Sequence, residues 1–150
     1  MNIDDTIRSI HKLGITTKTV VNLMYTTRII EEAIARVLKH YDITIQQYNV
    51  LRILRGQKGS PANLCTIQER MIDRSSNTTR FVDKLIKKEW TERRVCDWNR
   101  RMVEIFITDK GLDILQELDP VIDDNNNKLV GNLSSDQLEG LNELLDLLRE

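Results

Sequence analysis

RSSNTTRFVDKLIKK, residues 74–88, is the stretch whose pattern decides the fold. Phe81, Val82, Leu85 and Ile86 fall on one face of a helix, while Ser76, Asn77, Arg80, Lys84 and Lys87 turn away from it. The polar face is ordered as a helix entering the major groove of DNA requires. Short polar side chains stand near the N-terminus, where the backbone must come close; an amide and a guanidinium follow, suited to base edges; cations come last, where phosphates lie. Asn pairs bidentately with adenine and Arg with guanine, so Asn77 and Arg80 are the expected base contacts. Ser76, Thr79, Lys84 and Lys87 are the expected phosphate contacts, and Ser75 joins the same DNA-binding set. Taken alone, a solvated amphipathic helix would show the same division of faces.

The flanks on both sides narrow the reading. Upstream, Asn63 is placed to cap a short helix carrying Leu64, Ile67 and Met71, and a break near residues 72–74 separates it from the polar-faced helix. Two short helices with a tight connection form a helix-turn-helix. Downstream the period changes. Residues 92–95 and 102–107 have strand composition, with Val103, Ile105 and Ile107 alternating against Met102, Glu104 and Phe106, and the polar run 97–100 reads as a hairpin tip. A β-hairpin after a helix-turn-helix is a wing. Arg93, Arg94, Arg100 and Arg101 cluster there, and arginines on such a hairpin reach into a narrow, electronegative minor groove; Arg100 and Arg101 are the expected contacts. Charge that merely protects an exposed edge strand is the competing explanation.

Further out, Val20, Leu23, Thr27, Ile30, Ile34 and Val37 mark a long helix over residues 17–39, roughly 35 Å at 1.5 Å per residue, preceded by a short helix over residues 3–11 that Gly14 closes. Thr44 and Gln47 form a capping box for a helix that carries Tyr48, Leu51, Ile53 and Leu54 and stops at Gly56 and Gly59. Thr108 caps a helix running through Leu129 with Pro120 as a kink, and Ser134 with Gln137 opens a last helix lined by Leu138, Leu141, Leu144, Leu145 and Leu148. The apolar faces of the long first helix and of the last helix exceed what one small domain can cover, which predicts a second copy of the chain.

Three stretches carry a family likeness. ITIQQYNVLRIL (residues 43–54), SSNTTRFVDKLIKK (residues 75–88), and TERR (residues 91–94) followed by NRRMVEIFITDKG (residues 99–111) stand in the order and spacing of the second helix, recognition helix, wing and Thr-x-x-Gly helix start of the MarR family of bacterial regulators, which the chain resembles over almost its whole length. The resemblance implies a homodimer held by helices from both ends of each chain. It also implies a near-palindromic double-stranded DNA operator, and release by a small molecule, commonly aromatic, bound between the dimerising and DNA-binding parts. Some positions depart from the pattern. Asn99 replaces the aspartate of the family's Asp-x-Arg wing tip, with Asp97 as the nearby substitute; Glu89 replaces a glycine and Trp90 a small aliphatic residue after the recognition helix, which predicts a differently shaped exit. Ile72 replaces the glycine of the turn, implying a turn without a left-handed residue.

Composition and charge limit the alternatives. The 150 residues are 40% hydrophobic, enough for one core without staples, and no run approaches the roughly 18 apolar residues of a membrane span. The N-terminus lacks a signal-peptide pattern, so a cytoplasmic protein is expected. The net charge of −1 hides an asymmetry: residues 1–63 carry plus 4 (9 basic, 5 acidic), residues 64–108 plus 3 (10 and 7) and residues 109–150 minus 8 (3 and 11). Such a division orients a protein on a polyanion, and equally describes a solvated acidic helix. Cys65, expected to be a buried small hydrophobe, and Cys96, beside Arg93 and Arg94 and so a minor candidate for redox sensing, offer no metal-ligand spacing. His11 and His40 belong to no catalytic constellation; His40 is placed to meet a helix C-terminus. No catalytic residue, cofactor or metal is expected.

The expected fold is mainly α: one domain over residues 1–150, with a winged helix-turn-helix over residues 44–108 bearing a two-stranded hairpin wing, and residues 1–40 and 109–150 as dimerisation helices. The expected function is that of a homodimeric transcriptional repressor. A winged-helix module that binds protein instead of DNA is the alternative.

Overall fold

A computed structural model describes residues 2–8, 11–74 and 77–150 of the chain. Its elements run α1 (Ile3–Thr6), α2 (Ile15–Lys39), α3 (Ile45–Arg55), α4 (Leu64–Arg70), α5 (Thr78–Lys87), β1 (Thr91–Cys96), β2 (Asn99–Ile107), α6 (Asp109–Val130) and α7 (Ser135–Leu148). Their starts follow from local hydrogen bonding. Thr44 and Ser134 each complete a reciprocal capping box with the glutamine three residues on, while Asn63 Oδ1 accepts from Thr66 N at 2.8 Å and Thr108 Oγ1 from Gly111 N at 3.1 Å. The N-terminal segment differs from expectation. α1 stops at Thr6, and Gly14, extended at φ −60° and ψ 151°, is the N-cap of α2 and not the closure of the helix before it. α6 continues through Pro120, which lacks the N–H that would bond the Gln116 carbonyl.

α3 is the hub of the packing. Val50, Leu51 and Leu54 are buried along it, and it touches α2, α4, α5, β2 and α6. Leu38 of α2, Ile67 of α4, Val82 and Leu85 of α5, Ile105 of β2 and Leu115 and Leu118 of α6 complete the same core. Each such side chain contributes about 1.5–3 kcal/mol on leaving water, so this one cluster is what holds the short helices in place. The sheet is a single antiparallel hairpin. It pairs Thr91 with Ile107 and Val95 with Val103, and Ile105 also bridges to Ala62 through hydrogen bonds of 3.0 and 2.8 Å in both directions. That bridge anchors the base of the wing to the strap entering α4. At the far end, Arg55 and Asp119 make a bidentate ion pair at 2.7 and 3.0 Å, tying α3 to α6; the carboxylate's hydrogen bond pushes the guanidinium's pKa up.

The two ends of the chain are a different matter. α7 has no buried residue, and Leu141, Leu144, Leu147 and Leu148 are exposed on it. Ile15, Val20, Met24 and Ile29 are exposed along α2. Isolated exposed leucines are ordinary, but each of these two helices leaves a run of apolar side chains uncovered.

The Thr-x-x-Gly start of α6 has a steric cause. Thr108 N donates to the Trp90 carbonyl at 3.1 Å, which draws the chain so close that a Cβ on Gly111 would stand 2.2 Å from that oxygen and 2.8 Å from Ile107 Cγ1. Gly111→Ala therefore forces the wing base away from α6. It is expected to lose about 3 kcal/mol of stability by denaturant unfolding, as overpacking at a rigid backbone contact does; a loss under about 0.5 kcal/mol, within the range of an indifferent surface substitution, would show that the contact relaxes freely.

Candidate nucleic-acid interface

Ten residues make a helix too short to persist alone in water, so α5 must be seated by its surroundings. Thr78, Val82 and Leu85 are buried on its inner side. Thr78 Oγ1 donates to Gln68 Oε1 of α4 at 2.6 Å, and Gln68 Nε2 donates in turn to the Arg74 carbonyl, fastening the start of α5 and the turn before it to α4. Asn49 of α3 accepts from Ile72 N at 2.9 Å and fixes the turn from the other side. Ile72 does without positive φ, as its replacement of glycine implied.

The outer side of α5 carries Asn77, Thr79, Arg80, Asp83, Lys84 and Lys87, all exposed within a single arc. Thus the structure brings together every predicted residue of this helix that it describes; Ser75 and Ser76 lie outside the described residues. Asn77 has a second duty. It is the N-cap, and its Oδ1 accepts from Arg80 N at 3.2 Å, so bidentate pairing with adenine would compete for the oxygen that holds the helix start. Its amide nitrogen is not used by the cap. Asp83, the acid in this arc, is paired by Arg93 of β1 at 2.7 Å. Arg80, Lys84 and Lys87 make no ion pair with a described residue.

The wing separates its arginines by role. Arg93 neutralises Asp83, and Arg94 pairs with Glu92 while its guanidinium lies 4.7 Å over the Phe106 ring. Both are engaged near the base, leaving Arg100 and Arg101 as the exposed arginines toward the tip. The tip is tighter than the polar run 97–100 suggested. Asp97 and Trp98 alone form the turn, and Asn99 and Arg100 already belong to β2. Asn99, in place of the expected aspartate, can make no ion pair with an arginine; its Oδ1 instead accepts from Arg101 N at 3.2 Å.

The exit from α5 corrects another expectation. Glu89 occupies the left-handed region at φ 61°, its N–H bonds the Ile86 carbonyl at 2.9 Å, and Trp90 N bonds the Leu85 carbonyl at 3.0 Å. These are the two bonds of a Schellman closure, so the shape a glycine would give is kept by a residue that finds it strained. Glu89 is steadied there by Lys110 at 2.6 Å, which holds its carboxyl below the usual range, and by Thr108 Oγ1, which donates to its carbonyl at 2.6 Å. Trp90 packs against the core beneath the wing, with Lys88 Nζ 4.7 Å over its ring.

One cysteine departs from expectation. Cys65 is exposed because it lies on the outer side of α4, with Ile67 facing the core, and hydrogen bonding to Glu69 at 3.4 Å pushes its thiol pKa up. Cys96 is buried at 1% exposure, which removes the access an oxidant sensor needs. His40 is the C-cap of α2. Among the described residues no group of His, Cys, Asp and Glu is arranged to hold a metal ion. Sequence reasoning missed the Thr78–Gln68 clasp and the Arg93–Asp83 pair. Only the burial of a polar Thr within an apolar helix face would have hinted at the first.

Comparisons with known proteins agree with this geometry. The MarR family model matches residues 43–103, the segment from the start of α3 into β2. The transcriptional repressor MprA of Escherichia coli (strain K12) is 29% identical over 85 residues, covering 57% of this chain and 48% of its own, so the chain spans about half the length of that curated relative. Among solved structures, a MarR transcription factor from Planctomyces limnophilus superposes with a TM-score of 0.71 at 26% identity, over 91% of this chain and 99% of the other. Sco3205, a MarR family transcriptional regulator from Streptomyces coelicolor solved in complex with DNA, shares the fold at a TM-score of 0.80 and 20% identity, over 95% and 91% of the two chains.

Proposed function

We propose that the chain is a member of the MarR family and a sequence-specific DNA-binding transcriptional regulator, a homodimeric repressor whose hold on a near-palindromic operator is modulated by a small molecule. One observation carries the reading: Arg80, Lys84 and Lys87 share the outer arc of a helix clasped at both ends, while the acid among them is already neutralised by Arg93. Unpaired cations on a rigid helix are what a polyanion meets without first breaking internal bonds. In the proposed complex Arg80 and the Asn77 amide face base edges. Ser75, Ser76, Thr79, Lys84 and Lys87 hold phosphates, and Arg100 and Arg101 track the minor groove.

The second copy follows from the exposed apolar faces of α2 and α7. Residues 1–40 and 109–150 would form the dimerising part and residues 44–108 the reading part, so that twofold symmetry sets the two α5 helices in successive major grooves about 34 Å apart. Arg55–Asp119 joins the two parts within each chain. The effector would enter the cleft of about 560 Å³ between α2 and α3, where Ala35, Ile45, Asn49, Met71 and Ile72 lie against the turn that precedes α5. A small aromatic molecule there would press on the segment that orients the reading helix. Among the described residues no helix is long and apolar enough to cross a membrane, and regulation of a bacterial promoter would place the protein in the cytoplasm. MprA and the MarR transcription factor from Planctomyces limnophilus are transcription regulators by name, and no catalytic activity is proposed.

The rival reading, a winged helix that docks protein, differs in its response to salt. Binding through several phosphates weakens by orders of magnitude between about 50 and 200 mM salt, whereas an apolar interface barely responds. On a genomic fragment retained by the wild-type protein, Arg80→Ala is expected to cost about 1–3 kcal/mol of specific binding and much less on random DNA; Lys87→Ala is expected to weaken both alike and lower the salt slope by about 1. Equal losses from both variants on both DNAs contradict the assigned roles, and no retention of any fragment at low salt ends the regulator reading. Light scattering at micromolar concentration is expected to give twice the chain mass, and a monomer would remove the symmetric operator.

A further inference from the structure

Trp98 is the most solvent-exposed large apolar side chain of the described residues, at 85%. Among the described residues, neither the core nor a cation–ring contact uses its ring; the cation–ring contacts fall on Tyr48, Trp90 and Phe106 instead. A two-residue hairpin turn does not need it either, since such turns favour small residues at positive φ. Here neither Asp97 nor Trp98 has positive φ, and the ladder accommodates the turn by slipping. Pairing passes from Val95–Val103 directly to Cys96–Asn99, so Arg100, Arg101 and Met102 all lie opposite a single step of β1. A bulge of that kind bends the hairpin and re-aims side chains. It leaves an exposed indole at the apex with Arg100 and Arg101 exposed just behind it, and with Val95 and Met102 exposed below.

From this arrangement we infer that Trp98 is a DNA-contacting residue, an apolar wedge that enters the minor groove beside Arg101 and adds selectivity for deformable base steps. The inference rests on the DNA-binding reading above. The chemistry is complementary: arginines are drawn to the groove's negative potential, the flat ring has both faces free to lie on a base or sugar, and the indole N–H donates to the A·T acceptors on the groove floor. Wedges of this type partly unstack a step, so flexible pyrimidine–purine steps accept them at least cost. A protein surface would use the indole as readily, but the flanking arginines favour a polyanion, and stackable bases distinguish DNA from other polyanions.

The test uses a duplex selected from a random library by the wild-type protein. Trp98→Ala is expected to bind it about tenfold more weakly, Trp98→Phe to lose less, and neither to change the salt slope, because no charge is removed. Wild-type tryptophan emission is expected to change on adding that duplex but not on adding heparin, and Trp98→Phe to abolish the change. Affinity of Trp98→Ala within about twofold of wild type, or an equal emission change with heparin, overturns the wedge while leaving the regulator reading intact; wild-type protein that selects no duplex at low salt overturns both.

Discussion

Burial of Val82 and Leu85 beneath α5, with Thr78 clasped to Gln68 at one end and the Glu89–Trp90 closure at the other, is the constraint on which the other features depend. A helix of this length has no stability of its own. The same inner contacts that hold it also decide which side chains are left outside, so the core and the exposed polar face are two consequences of one apolar period. The closure passes the constraint onward. Trp90 packs under the wing, its carbonyl receives Thr108 N, and Gly111 lets α6 begin against it. α5, the wing and the first turn of α6 are therefore one mechanical unit.

Charge is arranged on top of this frame. Arg93 reaches across from β1 to Asp83 and removes the acid from the outer arc, Arg94 is engaged by Glu92 and Phe106, and the cations left over stand on α5 and toward the wing tip. The acidic surplus of residues 109–150 belongs to α6, α7 and their connection. Arg55–Asp119 is the point where the positive and negative parts meet in a bidentate pair. With side chains about two-fifths exposed it contributes modestly to stability; its geometry links α3, the hub beneath α5, to α6.

Much of the fold was legible in the sequence because helix starts and apolar periods are local. Thr44, Asn63, Thr108 and Ser134 cap where their spacing places them, and the change of period after α5 marks the wing. What was not legible depends on partners distant in sequence or on backbone angles. Asn77 reads as a base contact from its chemistry and turns out also to cap its own helix. Glu89 reads as a departure from a glycine pattern, yet the closing bonds of the helix outweigh its steric preference and it adopts the left-handed geometry. Cys65 departs from its expected burial because exposure depends on which side of α4 faces the core, and a lone cysteine carries no period. The candidate site was legible as a set: Asn77, Thr79, Arg80, Lys84 and Lys87 share one exposed arc, whereas the division of the four exposed wing arginines, Arg93 and Arg94 engaged by acids and Arg100 and Arg101 toward the tip, required the side-chain geometry.

Protection of guanine N7 from methylation reports directly on whether α5 lies in the major groove. On a duplex selected by the protein, two symmetric clusters of protected guanines about one helical turn apart are predicted, with protection lost in Arg80→Ala while residual binding persists. Duplex bound without any protected guanine, or protection that Arg80→Ala leaves unchanged, would contradict a reading helix seated as described here.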